Sequence, residues 1–105
     1  MAKMKVTLGK LPNFKLPVDV TMPDGEEATM VLTVKHRKAS EIQEVFDADE
    51  PMSDIEMIKF LAVGWDLEDE FTDEAIKELL DLFPNAAIAI TGAYMRALAG
   101  VRVKS

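Results

Sequence analysis

Two stretches near the start of the chain alternate between apolar and polar side chains, a pattern typical of half-buried β-strands. The first spans residues 16–22, and Pro17 near its start indicates an edge strand or one that begins late. The second spans residues 28–36. Between them, Pro23-Asp24-Gly25 predicts a tight turn, because proline presets one turn dihedral and glycine accepts positive φ. Since two strands alone are marginal in water, we expect this hairpin to pack on helices.

Two capping boxes predict helix starts in the part of the chain where the apolar spacing becomes helical. The box that begins at Ser40 opens a short helix, whose apolar side would consist of Ile42, Val45 and Phe46. The box that begins at Ser53 opens a second helix, predicted to bury Ile55, Ile58 and Leu61 or Ala62. We expect this second helix to run towards Val63 and to stop at Gly64, which leaves Trp65 in a loop.

Two further helices are predicted, one on each side of Pro84, because proline interrupts a helix. Thr72 is the expected N-cap of the third helix, since acids follow it where the helix dipole favours them. The apolar stripe of this helix consists of Ile76, Leu79, Leu80 and Phe83. The fourth helix spans residues 85–99 and is closed by Gly100.

The fourth helix is apolar on more than one side. Its core face would consist of Ala86, Ile90, Ala93, Tyr94, Ala97 and Leu98. A second apolar line consists of Ile88, Gly92, Met95 and Ala99, and beyond the helix Val101 and Val103 extend it. A helix that is apolar all round is either buried or faces a partner. Two interpretations follow: this line binds another protein or a second copy of the chain, or residues 1–15 cover it.

These elements predict an α+β fold in which an N-terminal β-hairpin packs on a mainly helical C-terminal part of about four helices. The 105 residues suffice for one domain and one core. Within the single domain 1–105, we expect a loosely held lead-in over residues 1–15, the hairpin over 16–36, the helical part over 39–100 and a short tail over 101–105.

Charge is distributed unevenly along the chain. The net charge of −7 combines a net of −13 in residues 39–81 with a net of +3 in each flanking segment. The acidic segment has two interpretations: solvated helix faces, or a surface that attracts a basic partner or mimics a polyanion. Binding to nucleic acid is not expected, because phosphate contacts need lysine and arginine. The seven methionines add adaptable surface if they are exposed, although methionine more often fills gaps in a core.

Residues that carry chemistry are sparse, so we expect neither an enzyme nor a bound metal, cofactor or small-molecule substrate. The chain has no cysteine and one histidine, His36, which is expected at the surface. Calcium loops that start at Asp47 or Asp66 would need Gly and Glu at their sixth and twelfth positions, and the sequence has neither there. No secretory signal and no apolar stretch long enough to span a membrane is seen, which favours the cytoplasm.

Several landmarks in the second half of the chain occur in a recognisable order. They are Gly64-Trp65-Asp66, then Phe71-Thr72, Leu79-Leu80, Phe83-Pro84, Ala86-Ala87, Tyr94 and the closing Ala97-Leu98-Ala99-Gly100. In this order the chain resembles the tail assembly chaperones of long-tailed phages and prophages. The resemblance covers residues 58–105, and the hairpin that ends in Lys35-His36-Arg37-Lys38 resembles the family more weakly. One departure is the end, where the family often has Lys-Asn and this chain has Lys104-Ser105.

The resemblance implies a protein without catalysis that acts in the bacterial host cytoplasm. Such chaperones bind the long tape measure protein, keep it soluble, help to recruit tail tube subunits and are absent from the mature virion. Among the landmarks, the aromatic side chains of Trp65, Phe71, Phe83 and Tyr94 are either client contacts or, as we prefer, anchors of the loops and last two helices. The alternative function is an acidic polyanion mimic or regulatory protein that acts on a nucleic-acid-binding host protein.

Overall fold

The computed structural model describes residues 11–100, which form three strands and four helices. In chain order these are β1 (Phe14–Thr21), β2 (Glu27–Val34), α1 (Ala39–Asp47), α2 (Asp54–Leu61), β3 (Ala62–Trp65), α3 (Asp73–Leu82) and α4 (Ala86–Leu98). The α+β class, with a hairpin followed by four helices, is therefore confirmed. Most of the predicted lead-in and the whole predicted tail lie outside the described residues.

The hairpin is antiparallel, and its register places the apolar residues of both strands on one face. Leu16 pairs with Leu32 and Val18 with Met30, and all four are buried. The sheet order β1-β2-β3 makes β1 an edge strand, as Pro17 predicted. β1 begins at Phe14, two residues earlier than predicted.

Pairing at the start of β1 and a turn at its end set the length of the hairpin. Phe14 pairs with Val34, and its ring stacks on that of Tyr94 with the centroids 6.1 Å apart. The strand therefore begins two residues before the alternating segment. At the other end the turn is closed by the Gly25 N–H, which donates to the Met22 carbonyl at 2.9 Å, and Gly25 has a φ of 91°. The positive φ confirms the reason for glycine in this turn.

The strand β3 was not predicted. We expected α2 to continue towards Val63 and Gly64 to end it, but α2 ends at Leu61 and the chain becomes extended at Ala62. Gly64 does not have positive φ, and Trp65 lies in a strand rather than in a loop. The physical reason is pairing with β2, because Trp65 lies opposite Leu32 and Ala62 opposite Val34, with an irregularity in the register between them.

Helix caps follow the sequence at two of the three predicted positions. The Ser53 hydroxyl accepts from the Glu56 N–H at 3.2 Å, and the Thr72 hydroxyl accepts from the Ala75 N–H at 3.1 Å, as predicted. Ser40, however, is not a cap, because α1 begins at Ala39. Here the Glu41 carboxylate accepts from the Lys38 N–H at 3.0 Å, and this bond moves the start of the helix.

The core lies between the apolar face of the sheet and the helices. Ile58 of α2, Ile76 of α3 and Ile90 of α4 are fully buried against it. Ile42 of α1 is also buried, but Phe46, predicted on the same side, is 55% exposed, so that prediction is wrong. The predicted stripe of α3 is confirmed, since Ile76 and Leu79 are buried and Leu80 and Phe83 pack partly against the core.

Candidate partner-binding surface

Within the residues that the structure describes, the second apolar line of α4 faces solvent. Ala86, Ile90, Ala93 and Tyr94 bury the opposite side of the helix, as predicted. Ile88 is 78% exposed and Met95 is 38% exposed, while Ala99 is exposed and Gly92 half-buried. Val101 and Val103 lie outside the described residues, and so do most of residues 1–15, which were the alternative cover. Ile88 is thus a large aliphatic side chain presented almost completely to solvent.

Gly92 leaves space on the exposed side of α4 for a neighbouring side chain. A Cβ at this position would stand 3.3 Å from Nη1 of Arg96, one turn further along the helix. The absence of a side chain at Gly92 therefore gives the Arg96 guanidinium room to lie back over the helix. The exposed side of α4 consequently combines an apolar end at Ile88 with a positive charge near its C-terminus.

A shallow groove of about 390 Å³ separates α4 from α2. Its α4 side contains two of the predicted partner-binding residues, Ile88 and Gly92, together with Ala87 and Thr91. Its other side is built by Met52, Asp54 and Met57. The two helices contact each other, and Ile58 of α2 and Ile90 of α4 belong to the same buried core.

A second groove, of about 290 Å³, lies between α1 and α2 and shares Met52 with the first. Its lining residues are Glu41, Glu44, Val45, Ala48, Glu50, Met52 and Phe60. We call the two grooves together the Met52 groove. The methionines and Phe60 were not singled out from the sequence, because no local period marks residues that meet only across two helices. The methionine content was the sole signal that bore on them.

Acidic side chains line the Met52 groove. Its described lining residues include Glu41, Glu44, Glu50 and Asp54 and no lysine, arginine or histidine. Glu41 forms an ion pair of 3.2 Å with Arg37, whose guanidinium also lies 4.2 Å from the centroid of the Phe60 ring. The hydrogen bond from the Lys38 N–H, together with Arg37, lowers the pKa of Glu41 despite some desolvation. Glu41 therefore stays ionised at neutral pH.

Tyr94 links the last helix to the end of the hairpin. Its hydroxyl donates to the Lys35 carbonyl at 2.6 Å and accepts from the Arg37 N–H at 2.9 Å. The side chain is fully buried, and this burial raises the pKa of the phenol. Tyr94 therefore holds α4 against the backbone at the point where the chain leaves β2.

The landmarks from Trp65 to Thr72 secure the connection between β3 and α3. The Trp65 indole N–H donates to the Asp69 carbonyl at 2.7 Å, and its ring meets Phe71 edge-on with the centroids 5.0 Å apart. Asp66 prolongs the pairing with β2, because its carboxylate accepts from the Val31 N–H at 2.9 Å and its own N–H donates to the Val31 carbonyl at 3.0 Å. Thr72 then caps α3. These contacts give each landmark a role in the fold.

Two further landmarks, Gly64 and Pro84, differ in how far the fold explains them. Pro84 lies in the short connection between α3 and α4, where it interrupts the helical path. Gly64 lies opposite Thr33 in the sheet, and a Cβ there would meet no atom within 4 Å. No contact within the described residues explains glycine at position 64.

The acidic side chains and the single histidine of residues 11–100 do not come together at a metal site. No group of three or more His, Asp or Glu side chains in this part of the chain is arranged to hold a metal ion. His36 is exposed, as predicted, and its ring lies edge-on to Phe14 with the centroids 5.8 Å apart. Over the same residues, every helix is too short or too polar to cross a membrane.

Comparison with known proteins identifies the family. The chain matches none of the curated proteins and none of the solved structures with which it was compared. A family model described as phage tail assembly chaperone matches residues 1–105, the whole chain. The match covers the N-terminal segment and the hairpin as well as the landmarks. The chain therefore belongs to the phage tail assembly chaperone family.

Proposed function

We propose that this protein binds the tape measure protein of a long-tailed phage or prophage and keeps it soluble until the tail is assembled. The family membership supports a role in tail assembly. The client is proposed because the family that the landmarks resemble binds the long, apolar tape measure protein and keeps it soluble. In this role the protein acts by binding and is not an enzyme.

The observation that carries this proposal is the exposed apolar side of α4. Ile88 is 78% exposed and borders a groove that contains two methionines. A large aliphatic side chain beside an unfilled groove costs solvation free energy in the free protein, which is recovered when an apolar partner covers it. Methionine adapts to partners of varied shape, as a chaperone with a long client requires.

Co-expression tests the proposal directly. A fragment of the cognate tape measure protein is produced with and without this protein, and its soluble fraction is measured. We expect the fragment to precipitate alone and to remain soluble in a complex when both are present. Equal precipitation in the two cultures would contradict the proposal.

Recruitment of tail tube subunits is a second part of the proposed role. We expect a ternary complex of this protein, the client fragment and the tail tube protein, detected by size-exclusion chromatography with light scattering. The same measurement gives the oligomeric state of the free protein. Since the proposed role ends before tail maturation, we expect the protein in the host cytoplasm and not in purified virions, which immunoblotting of both fractions checks.

Salt distinguishes this role from that of an acidic polyanion mimic. Residues 39–58 carry seven acids and no base, the feature that favours the mimic. A mimic binds through charge and loses its partner steeply as ionic strength rises. Binding of an apolar client is expected to persist, because burial of apolar surface is not screened by salt.

A further inference from the structure

We propose that the client is held in the Met52 groove and that the segment bound there is an amphipathic helix with Lys or Arg beside its apolar face. This inference rests on the proposed function and adds to it the binding site and the chemistry of the bound segment. It is carried by the shape of the groove, its apolar floor and the charge of its rim.

The apolar floor of the groove suits the side chains of a helix. Met52 lines both the groove between α2 and α4, which includes Ile88, and the groove between α1 and α2, which includes Phe60, so the two grooves adjoin at this side chain. Amphipathic helices bind grooves of this kind through apolar anchors at positions i, i+3 or i+4, and i+7. The two grooves offer separate places for successive anchors.

The rim of the groove is acidic and therefore favours a partner with positive charge. Arg37 pairs with Glu41, whereas Glu44, Glu50 and Asp54 are exposed side chains on the same rim. Complementary charge steers encounter and fixes the orientation of a bound partner. A helix with Lys or Arg flanking its apolar face would meet these carboxylates, while an acidic helix would be repelled.

The same charge argues against a second copy of this chain as the occupant. A two-fold symmetric contact would place one acidic rim against the other, because both subunits use the same surface. Arg37 already pairs with Glu41, and Arg96 beside Gly92 is one base against the exposed carboxylates of Glu44, Glu50 and Asp54. A partner of opposite charge fits the groove better than its own copy does.

The test uses a synthetic helical peptide as the probe. The peptide has about 18 residues, or five turns, with leucines on one face and lysines at the flanking positions. A matched peptide has glutamate in place of each lysine. Binding to the full chain is measured by fluorescence anisotropy. We expect the lysine peptide to bind at least about tenfold more tightly than the glutamate peptide at low salt.

Two matched pairs of variants locate the site. Ile88→Glu changes an apolar residue in the groove, and its control, Leu82→Glu, changes a 56% exposed apolar residue on α3. We expect Ile88→Glu to weaken binding of the lysine peptide at least about tenfold and Leu82→Glu by less than about twofold. The second pair consists of two double variants. Glu44→Lys with Glu50→Lys reverses two charges of the groove, and its control, Glu68→Lys with Glu70→Lys, reverses two charges in the loop before α3 and changes the net charge by the same amount.

The two charge-reversal double variants should differ in a way that depends on salt. Reversal at Glu44 and Glu50 should weaken binding several-fold more than reversal at Glu68 and Glu70 at low salt. This difference should shrink near 1 M salt, where the screening length falls to about 3 Å. Circular dichroism of each variant verifies that it is folded. Because all the substituted residues are exposed, loss of binding by a folded variant reports on the surface.

The outcomes that would overturn the inference differ from those that would overturn the proposed function. Equal effects of the groove variants and their controls, or equal binding of the two peptides, would refute the site or its charge preference. If the groove variants and the parent protein keep the same fraction of a tape measure fragment soluble, the chaperone role stands and the Met52 groove is not the binding site. Failure of the parent protein in co-expression would instead contradict the function itself.

Discussion

The hydroxyl of Tyr94 donates a hydrogen bond of 2.6 Å to the carbonyl of Lys35, although the two residues are 59 positions apart in the chain. The same hydroxyl accepts from the N–H of Arg37, so one side chain of α4 satisfies two backbone groups where the chain leaves β2. This contact ties the last helix to the end of the hairpin.

Replacing Tyr94 with phenylalanine should destabilise the protein without changing its shape. The ring still fills the core, but the Lys35 carbonyl and the Arg37 N–H lose their partner in a part-buried place. We expect the free energy of unfolding to fall by about 1–3 kcal/mol. Urea unfolding measures this change, and a loss below about 0.5 kcal/mol, the range of a neutral surface substitution, would contradict the role of the hydroxyl.

The raised pKa of Tyr94 predicts a loss of stability in alkali. Burial favours the neutral phenol in the folded protein, while in the unfolded chain the phenol ionises near its ordinary pKa of 10.0. The contribution is therefore fully present below pH 10 and falls as the pH rises towards the folded pKa. Urea midpoints measured from pH 8 upward should decrease more steeply for the parent than for Tyr94→Phe. Parallel curves would contradict the prediction.

The caps of α1 and α2 predict that two serine-to-alanine substitutions differ in their effect on the free energy of unfolding. Ser53→Ala removes an acceptor for the Glu56 N–H and should reduce the free energy of unfolding by about 1 kcal/mol. Ser40→Ala, in the first turn of α1, should change it by less than about 0.5 kcal/mol. Thermal or urea unfolding compares the two variants. Equal losses would mean that Ser40 also acts as a cap.

Asp66 predicts a local effect on the backbone of β2. Its carboxylate accepts from the Val31 N–H at 2.9 Å, a bond that Asp66→Ala removes. We expect faster hydrogen exchange at the Val31 amide and a loss of about 1 kcal/mol in stability. Asp66→Asn is the control, because an amide oxygen still accepts a hydrogen bond. Identical exchange in the two variants would show that the side chain does not protect this amide.

The two sides of α4 predict opposite tolerance to charge. Ile90 has no exposed surface, so Ile90→Glu should unfold the domain by burying an unpaired carboxylate. Ile88→Glu and Met95→Glu should leave the free energy of unfolding within about 0.5 kcal/mol of the parent. Circular dichroism and urea unfolding test all three. Unfolding of Ile88→Glu would place that residue in a core.

Local patterns predicted most of the helices and the hairpin because the relevant forces act between near neighbours. Ser53 and Thr72 cap helices through the backbone three residues further on, and the stripe from Ile76 to Phe83 follows from the helical period. Ser40 shows the limit of such reasoning, because an overlapping bond between Lys38 and Glu41 starts the helix earlier.

The Met52 groove could be predicted only in part. The apolar excess of α4 pointed to Ile88 and Gly92, which line the groove. Met52 and Phe60 were not singled out, because their place in the groove depends on how α1, α2 and α4 pack. No periodicity within a single helix records which side chains meet across two of them.

The sequence alone determined the α+β class, the hairpin, four helices, the acidic middle segment and the ordered landmarks of a tail assembly chaperone. Each depends on neighbouring residues or on composition. Tertiary structure alone decided that residues 62–65 form a strand, that Tyr94 anchors the end of β2 and that two grooves meet at Met52. These features join residues far apart in the chain, such as Val31 and Asp66, and their free energy arises only when distant segments pack together.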